Sequence, residues 1–192
     1  MSAESGPATG TAYGLMIGTL RHFLDAISDC DADVATMQDL TTSMSRWIDL
    51  LGPRTPESDE RVAMRYLLPS RGRAMCPLFV VEGQSSMQVS GTVVFGSHFL
   101  GRNGAAHGGA VAILFDEVFG RLANAPGQPR ARTGHLEVDY LRITPVNLKL
   151  RVEATVEQQE GRKLALVGTL FDDQGPCAQA TALMVRLRGG QP

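Results

Sequence analysis

Residues 103–120 read NGAAHGGAVAILFDEVFG. The adjacent Gly108 and Gly109 suit a tight entry, where backbone must approach something closely. From Ala110 to Ala123 there is no proline, and the only glycine is Gly120. Apolar residues fill nearly every position, the composition of a helix buried on all sides. Asp116 and Glu117 interrupt it and need a reason, because a buried carboxylate is costly unless paired or hydrogen-bonded.

Helical phase separates the two acids. At about 100° per residue, Asp116 returns to within about 20° of Gly109, and Glu117 lies roughly 80° further round. Asp116 therefore shares a face with Gly109, Ala112, Ile113 and Gly120, a small-residue face with room for a ligand or a second helix. Glu117 is the better candidate for a solvated or rim position. The first N–H groups of a helix lack partners, and the helix dipole favours negative charge there. Such donors hold an oxyanion as it forms. Gly109 and Asp116 are about 10 Å apart along one helix, too far to act on one carbonyl. Two antiparallel copies would bring Gly109 of one near Asp116 of the other, which points to a dimer with shared sites.

His107-Gly108-Gly109, the acid nine residues after the histidine and the β segments on either side resemble the hotdog-fold acyl-CoA thioesterases of the phenylacetate-pathway (PaaI-like) type, over residues 75–188. The resemblance implies an α+β fold in which a curved antiparallel sheet wraps a central helix, and subunits that join edge to edge as a homodimer or a dimer of dimers. It implies hydrolysis of an acyl-CoA thioester without a cofactor. By the same resemblance, the Gly109 N–H polarises the thioester carbonyl, and Asp116 of the opposite subunit activates water or attacks. Thr133 helps hold the water, and His107 positions the bend or contacts substrate. Gly108, Asn103 and Arg102 are the expected substrate contacts. Two departures bear on efficiency. Some relatives place Asn six residues before the histidine, where this chain has Gly101, and others place Ser or Thr four after the acid, where it has Gly120.

Strands are expected at 77–82, 87–95, 133–143, 148–158, 163–171 and 177–188. Leu148, Leu150, Val152, Ala154 and Val156 alternate with Lys149, Arg151, Glu153 and Thr155, a pattern with one buried and one wet face. Turns are expected at 160–161 and 172–175. Upstream, residues 14–30 and 35–51 have helical spacing, with Asp33 as N-cap and Gly52-Pro53 as the stop. These helices exceed a minimal hotdog domain and are read as an N-terminal extension that packs, or alternatively as a lid or interaction module. Residues 1–14 are read as a mobile tail. The Pro-containing segment 53–62 is read as a linker, which divides the chain into 1–62 and 63–192. Arg65, Arg71 and Arg73 are either a coenzyme A phosphate contact or a solvated loop.

The chain has 192 residues and a formal net charge of −2, which gives no electrostatic case for nucleic-acid binding. No signal peptide or membrane span is legible. Cys30, Cys76 and Cys177 are widely spaced, without a metal or disulfide pattern, and indicate a reducing, cytoplasmic setting. His98 and His135 lack partners at metal-ligand spacing, so no metal site is expected. Two alternatives to hydrolysis stand beside it. One is a non-catalytic acyl-CoA sensor or scaffold. The other is a hydratase on the same fold, which the HGG placement fits poorly.

Overall fold

The computed structural model describes residues 7–52 and 69–190, with only the backbone of 7–9, 69 and 71. The chain divides into two compact units, residues 1–72 and 73–192. The boundary expected at 62/63 lies outside the described residues.

In the first unit, α1 spans Pro7–Asp29 and α2 spans Val34–Leu51. Helix α1 starts inside the segment expected to be a mobile tail. Its first residue is proline, whose fixed φ and missing N–H suit that position. Asp33 caps α2 as expected, accepting from the Thr36 N–H at 2.8 Å, and that bond holds its carboxyl below the usual range. Helix α2 ends at Gly52, φ +62°, a left-handed conformation that glycine adopts without strain. No residue of α2 is buried. Met37, Trp47, Ile48 and Leu51 on its apolar side are all exposed. His22 on α1 is exposed too. The Tyr13 hydroxyl donates to Gly72 O at 3.3 Å, closing the unit's end onto α1.

The second unit is a six-stranded antiparallel sheet and one helix. The strands are β1 Leu78–Gln84, β2 Gln88–Val94, β3 Ala131–Tyr140, β4 Lys149–Glu160, β5 Lys163–Asp172 and β6 Gly175–Arg186, and the helix is α3 Gly108–Ala123. The sheet order is β1-β2-β4-β5-β6-β3, so β3, which follows the helix, returns to the far edge beside β6. Alternation holds along β4, where Leu150, Val152 and Ala154 are buried and their neighbours exposed. Leu148, expected on the buried face, precedes the strand and is 56% exposed.

Helix α3 packs against the concave face of this sheet. Val111, Leu114, Phe115, Val118, Phe119 and Leu122 bury among Phe79, Val93, Leu150, Leu166, Leu170 and Met184. Gly168 on β5 lets the helix approach: a Cβ there would lie 3.1 Å from the Phe119 ring. At about 25 cal/mol per Å² of apolar area, this interlocked face is the main source of the domain's stability. Among the described residues, no helix is long and apolar enough to cross a membrane.

Candidate active site

The segment 96–107 leads into α3 through two short 3-10 turns, 97–99 and 102–104. Backbone bonds pin it. The Ala106 N–H donates to Thr144 O at 2.8 Å, and the His107 N–H to Phe99 O at 2.7 Å. His107 is the N-cap of α3, and its Nδ1 accepts from the Gly109 N–H at 3.0 Å. An accepting Nδ1 carries no proton. The N–H assigned to the thioester carbonyl is thus held by the preceding histidine. A Cβ on Gly109 would lie 3.1 Å from that Nδ1, so glycine lets the cap close. The Tyr140 hydroxyl donates to Gly108 O at 2.8 Å from the end of β3. The sequence reading did not include Tyr140. It lies 32 residues from Gly108, and no periodicity or spacing links them.

Helix α3 is not buried all round. Gly109, Ile113 and Asp116 are exposed, with Ala112 and Gly120 half-buried between them. This is the face that helical phase grouped. The expectation for the two acids is overturned in one respect: Glu117 is not at a solvated rim but only 6% exposed. Its carboxylate accepts from Arg121 Nε at 2.7 Å, one turn on. The pair satisfies the carboxylate that burial would otherwise penalise, and the Arg121 guanidinium also lies over the Phe79 ring, 5.9 Å from its centroid.

Asp116 projects from the open face and meets β3. The Thr133 hydroxyl donates to Asp116 Oδ1 at 2.7 Å. A bulge lies directly after Thr133, where the register with β6 skips Gly134 between Thr133 and His135. Bulges re-aim side chains at sheet edges, and this one falls beside the residue that reaches the helix. The structure therefore brings together two clusters: His107, Gly108, Gly109 and Tyr140 at the helix start, and Asp116 with Thr133 two turns on.

Arg102 and Asn103 sit in the 102–104 turn, both exposed, with Asn103 at φ +59°. Asparagine tolerates that conformation better than most residues. Among the described residues, neither side chain hydrogen-bonds any other candidate. Arg65 lies outside the described residues, and Arg73 is exposed. No group of three His, Cys, Asp or Glu side chains is placed to hold a metal ion among the described residues.

Residues 103–178, which span both clusters, match the thioesterase superfamily. Over 99 residues the chain is 33% identical to the acyl-coenzyme A thioesterase THEM4 of Rattus norvegicus, covering 50% of this chain and 42% of that protein. The chain thus spans less than half the length of this relative. A crystal structure of a thioesterase superfamily protein superposes with a TM-score of 0.74 at 26% identity, covering 90% of each chain. A Streptococcus mutans UA159 protein, solved bound to acetyl CoA, shares the fold with a TM-score of 0.54 at 21% identity, over 57% of this chain and 88% of that one. With its helix-wrapping sheet and its HGG helix entry inside the matched stretch, the second unit has the hotdog fold, and its residues 103–178 are similar to the thioesterase superfamily.

Proposed function

We propose that this domain hydrolyses acyl-CoA thioesters to the free acid and CoA, using one site built from two copies of the chain. The observation that carries the reading is the Asp116–Thr133 pair on the same open face of α3 as Gly109. Water attacks the thioester carbonyl while the Asp116 carboxylate takes its proton. The oxygen that gains charge is met by the Gly109 N–H at the positive end of α3. The C–S bond then breaks, and the CoA thiolate leaves and takes up a proton. Thr133 holds one carboxylate oxygen, so the other faces the water. Because Gly109 and Asp116 of one helix are about 10 Å apart, the partner subunit's Asp116 serves each Gly109. The exposed stripe on α3 and the free edge of β3 support that pairing, as a dimer or a dimer of dimers. Gly108, Asn103 and Arg102 flank the helix start as substrate contacts. Cys76 and Cys177 are buried and Cys30 is exposed, and their wide spacing in the sequence supports a cytoplasmic setting.

A second reading, acyl-CoA binding without turnover, is favoured by one observation: the Gly109 N–H already has an acceptor in His107 Nδ1. One experiment separates the two. Thiol release is followed from short, long and aromatic acyl-CoAs with wild type and Asp116→Asn. Turnover that collapses in the variant while acyl-CoA still binds supports the hydrolase. Binding by wild type without thiol release supports the sensor. Equal turnover in both proteins sinks the role of Asp116.

A further inference from the structure

The Gly108 carbonyl and the Gly109 N–H are the two ends of one peptide unit. That unit is held from both sides: the Tyr140 hydroxyl donates to its oxygen at 2.8 Å, and its N–H donates to His107 Nδ1 at 3.0 Å. We infer that Tyr140 is a positioning residue for the hydrolysis proposed above, one that aims and strengthens the Gly109 N–H by holding the far end of the same peptide. The inference rests on that reading for its catalytic consequence, but the clamp itself does not.

The physical case has three parts. A peptide is planar, so fixing the oxygen fixes the direction of the N–H. Glycine on both sides leaves this peptide freer to rock than any other in α3, so it has the most to gain from an external hold. A hydrogen bond to the oxygen also polarises the amide and makes its N–H a better donor. The approach depends on Gly108: a Cβ there would lie 3.2 Å from the Tyr140 hydroxyl and 3.3 Å from Cζ. His107 occupies the N–H until a thioester carbonyl replaces it. During that exchange the Tyr140 bond persists beside the helix's own bond to the Gly108 carbonyl.

Tyr140→Phe in the full chain removes the hydroxyl and keeps the ring. Two measurements are made on it and on wild type. The first is kcat and KM with an acyl-CoA that wild type hydrolyses. The second is the amide resonance of Gly109, after labelling glycine with carbonyl carbon-13 and nitrogen-15. The sequence contains two Gly–Gly peptides, 108–109 and 189–190, so the carbon–nitrogen correlation isolates Gly109 and supplies Gly190 as an internal control. The expected result is a kcat about tenfold lower, the size of one lost hydrogen bond in the transition state, with KM within about twofold. The Gly109 resonance moves and that of Gly190 stays. An unmoved Gly109 resonance overturns the clamp. A moved resonance with unchanged kcat overturns the positioning role. If wild type releases no thiol from any acyl-CoA, the hydrolase reading falls and takes the positioning role with it, while the Gly109 resonance still decides the clamp.

Discussion

Thr133 on β3 and Asp116 on α3 are joined by a hydroxyl–carboxylate bond of 2.7 Å between sheet edge and central helix. The bond spans 17 positions of sequence, and a bulge lies directly after Thr133. It fixes one oxygen of an exposed carboxylate, which is how a general base is kept in one orientation without being buried.

Asp116→Asn keeps the shape of that side chain and the possibility of the Thr133 bond but removes the carboxylate proposed as the base. Turnover of acyl-CoA is expected to fall at least about a hundredfold, the usual contribution of a positioned general base. Binding, measured by calorimetry with a non-hydrolysable acyl-CoA analogue, is expected to stay within about threefold. Binding that fails together with turnover would reassign Asp116 to substrate recognition.

Thr133→Val deletes the hydroxyl at nearly constant volume, and Thr133→Ser retains it. The valine variant is expected to lose about tenfold in kcat, since one hydrogen bond to a charged group is worth about 1.5 kcal/mol or more. The serine variant is expected to stay within about threefold. Equal losses in both would mean that the methyl, and hence packing of β3, matters instead.

Much of the fold is legible without coordinates because sheet and helix periods are local. Leu150, Val152 and Ala154 declare the inner face of β4 by alternation, and helical phase alone groups Asp116 with Gly109, Ala112, Ile113 and Gly120 on one side of α3. Which side faced solvent was not legible. The helix is apolar nearly all round, and its open stripe consists of small residues rather than polar ones. The burial of Glu117 was missed although its partner, Arg121, stands four residues on, the spacing of a helical ion pair. Tyr140 and Arg142, at and just beyond the end of β3, act on residues 30 or more positions away. Such contacts come from the return of β3 to the sheet edge, which no local period encodes. The resemblance to hotdog thioesterases supplied the pairing of Gly109 with an opposite Asp116, and spacing alone permitted it.

Glu117 and Arg121 offer a test of packing apart from chemistry. Arg121→Ala leaves a carboxylate that is 5% exposed without its guanidinium. A loss of about 3 kcal/mol in unfolding free energy is expected, read from the denaturant midpoint at unchanged slope. The double change Glu117→Leu with Arg121→Met is expected to recover to within about 1 kcal/mol of wild type, since apolar replacement of a buried pair is often neutral. A single variant as stable as wild type would show that Glu117 re-pairs or is reached by water.

The β5–β6 hairpin carries a second ion pair, and its pH dependence has a definite sign. Arg142, just beyond β3, donates to Asp172 Oδ1 at 2.6 Å and to Gly175 O at 2.8 Å. The Arg142 hydrogen bond holds the Asp172 carboxyl at about 2, below its ordinary 3.8, with the Gln174 N–H helping. Close by, burial pushes the Cys177 thiol up. A carboxyl whose folded pKa is depressed adds stability above its unfolded pKa and loses it as pH falls through the folded value. Asp172→Asn should therefore melt below wild type at neutral pH. The difference in Tm should shrink as pH falls from about 4 through about 2 and close below that. Arg142→Met should narrow over the same window without closing, because the guanidinium's bonds to the Gly175 and Pro176 carbonyls do not titrate. A Tm difference that stays constant across that window would mean the hairpin depends on the shape of these side chains rather than on their charge.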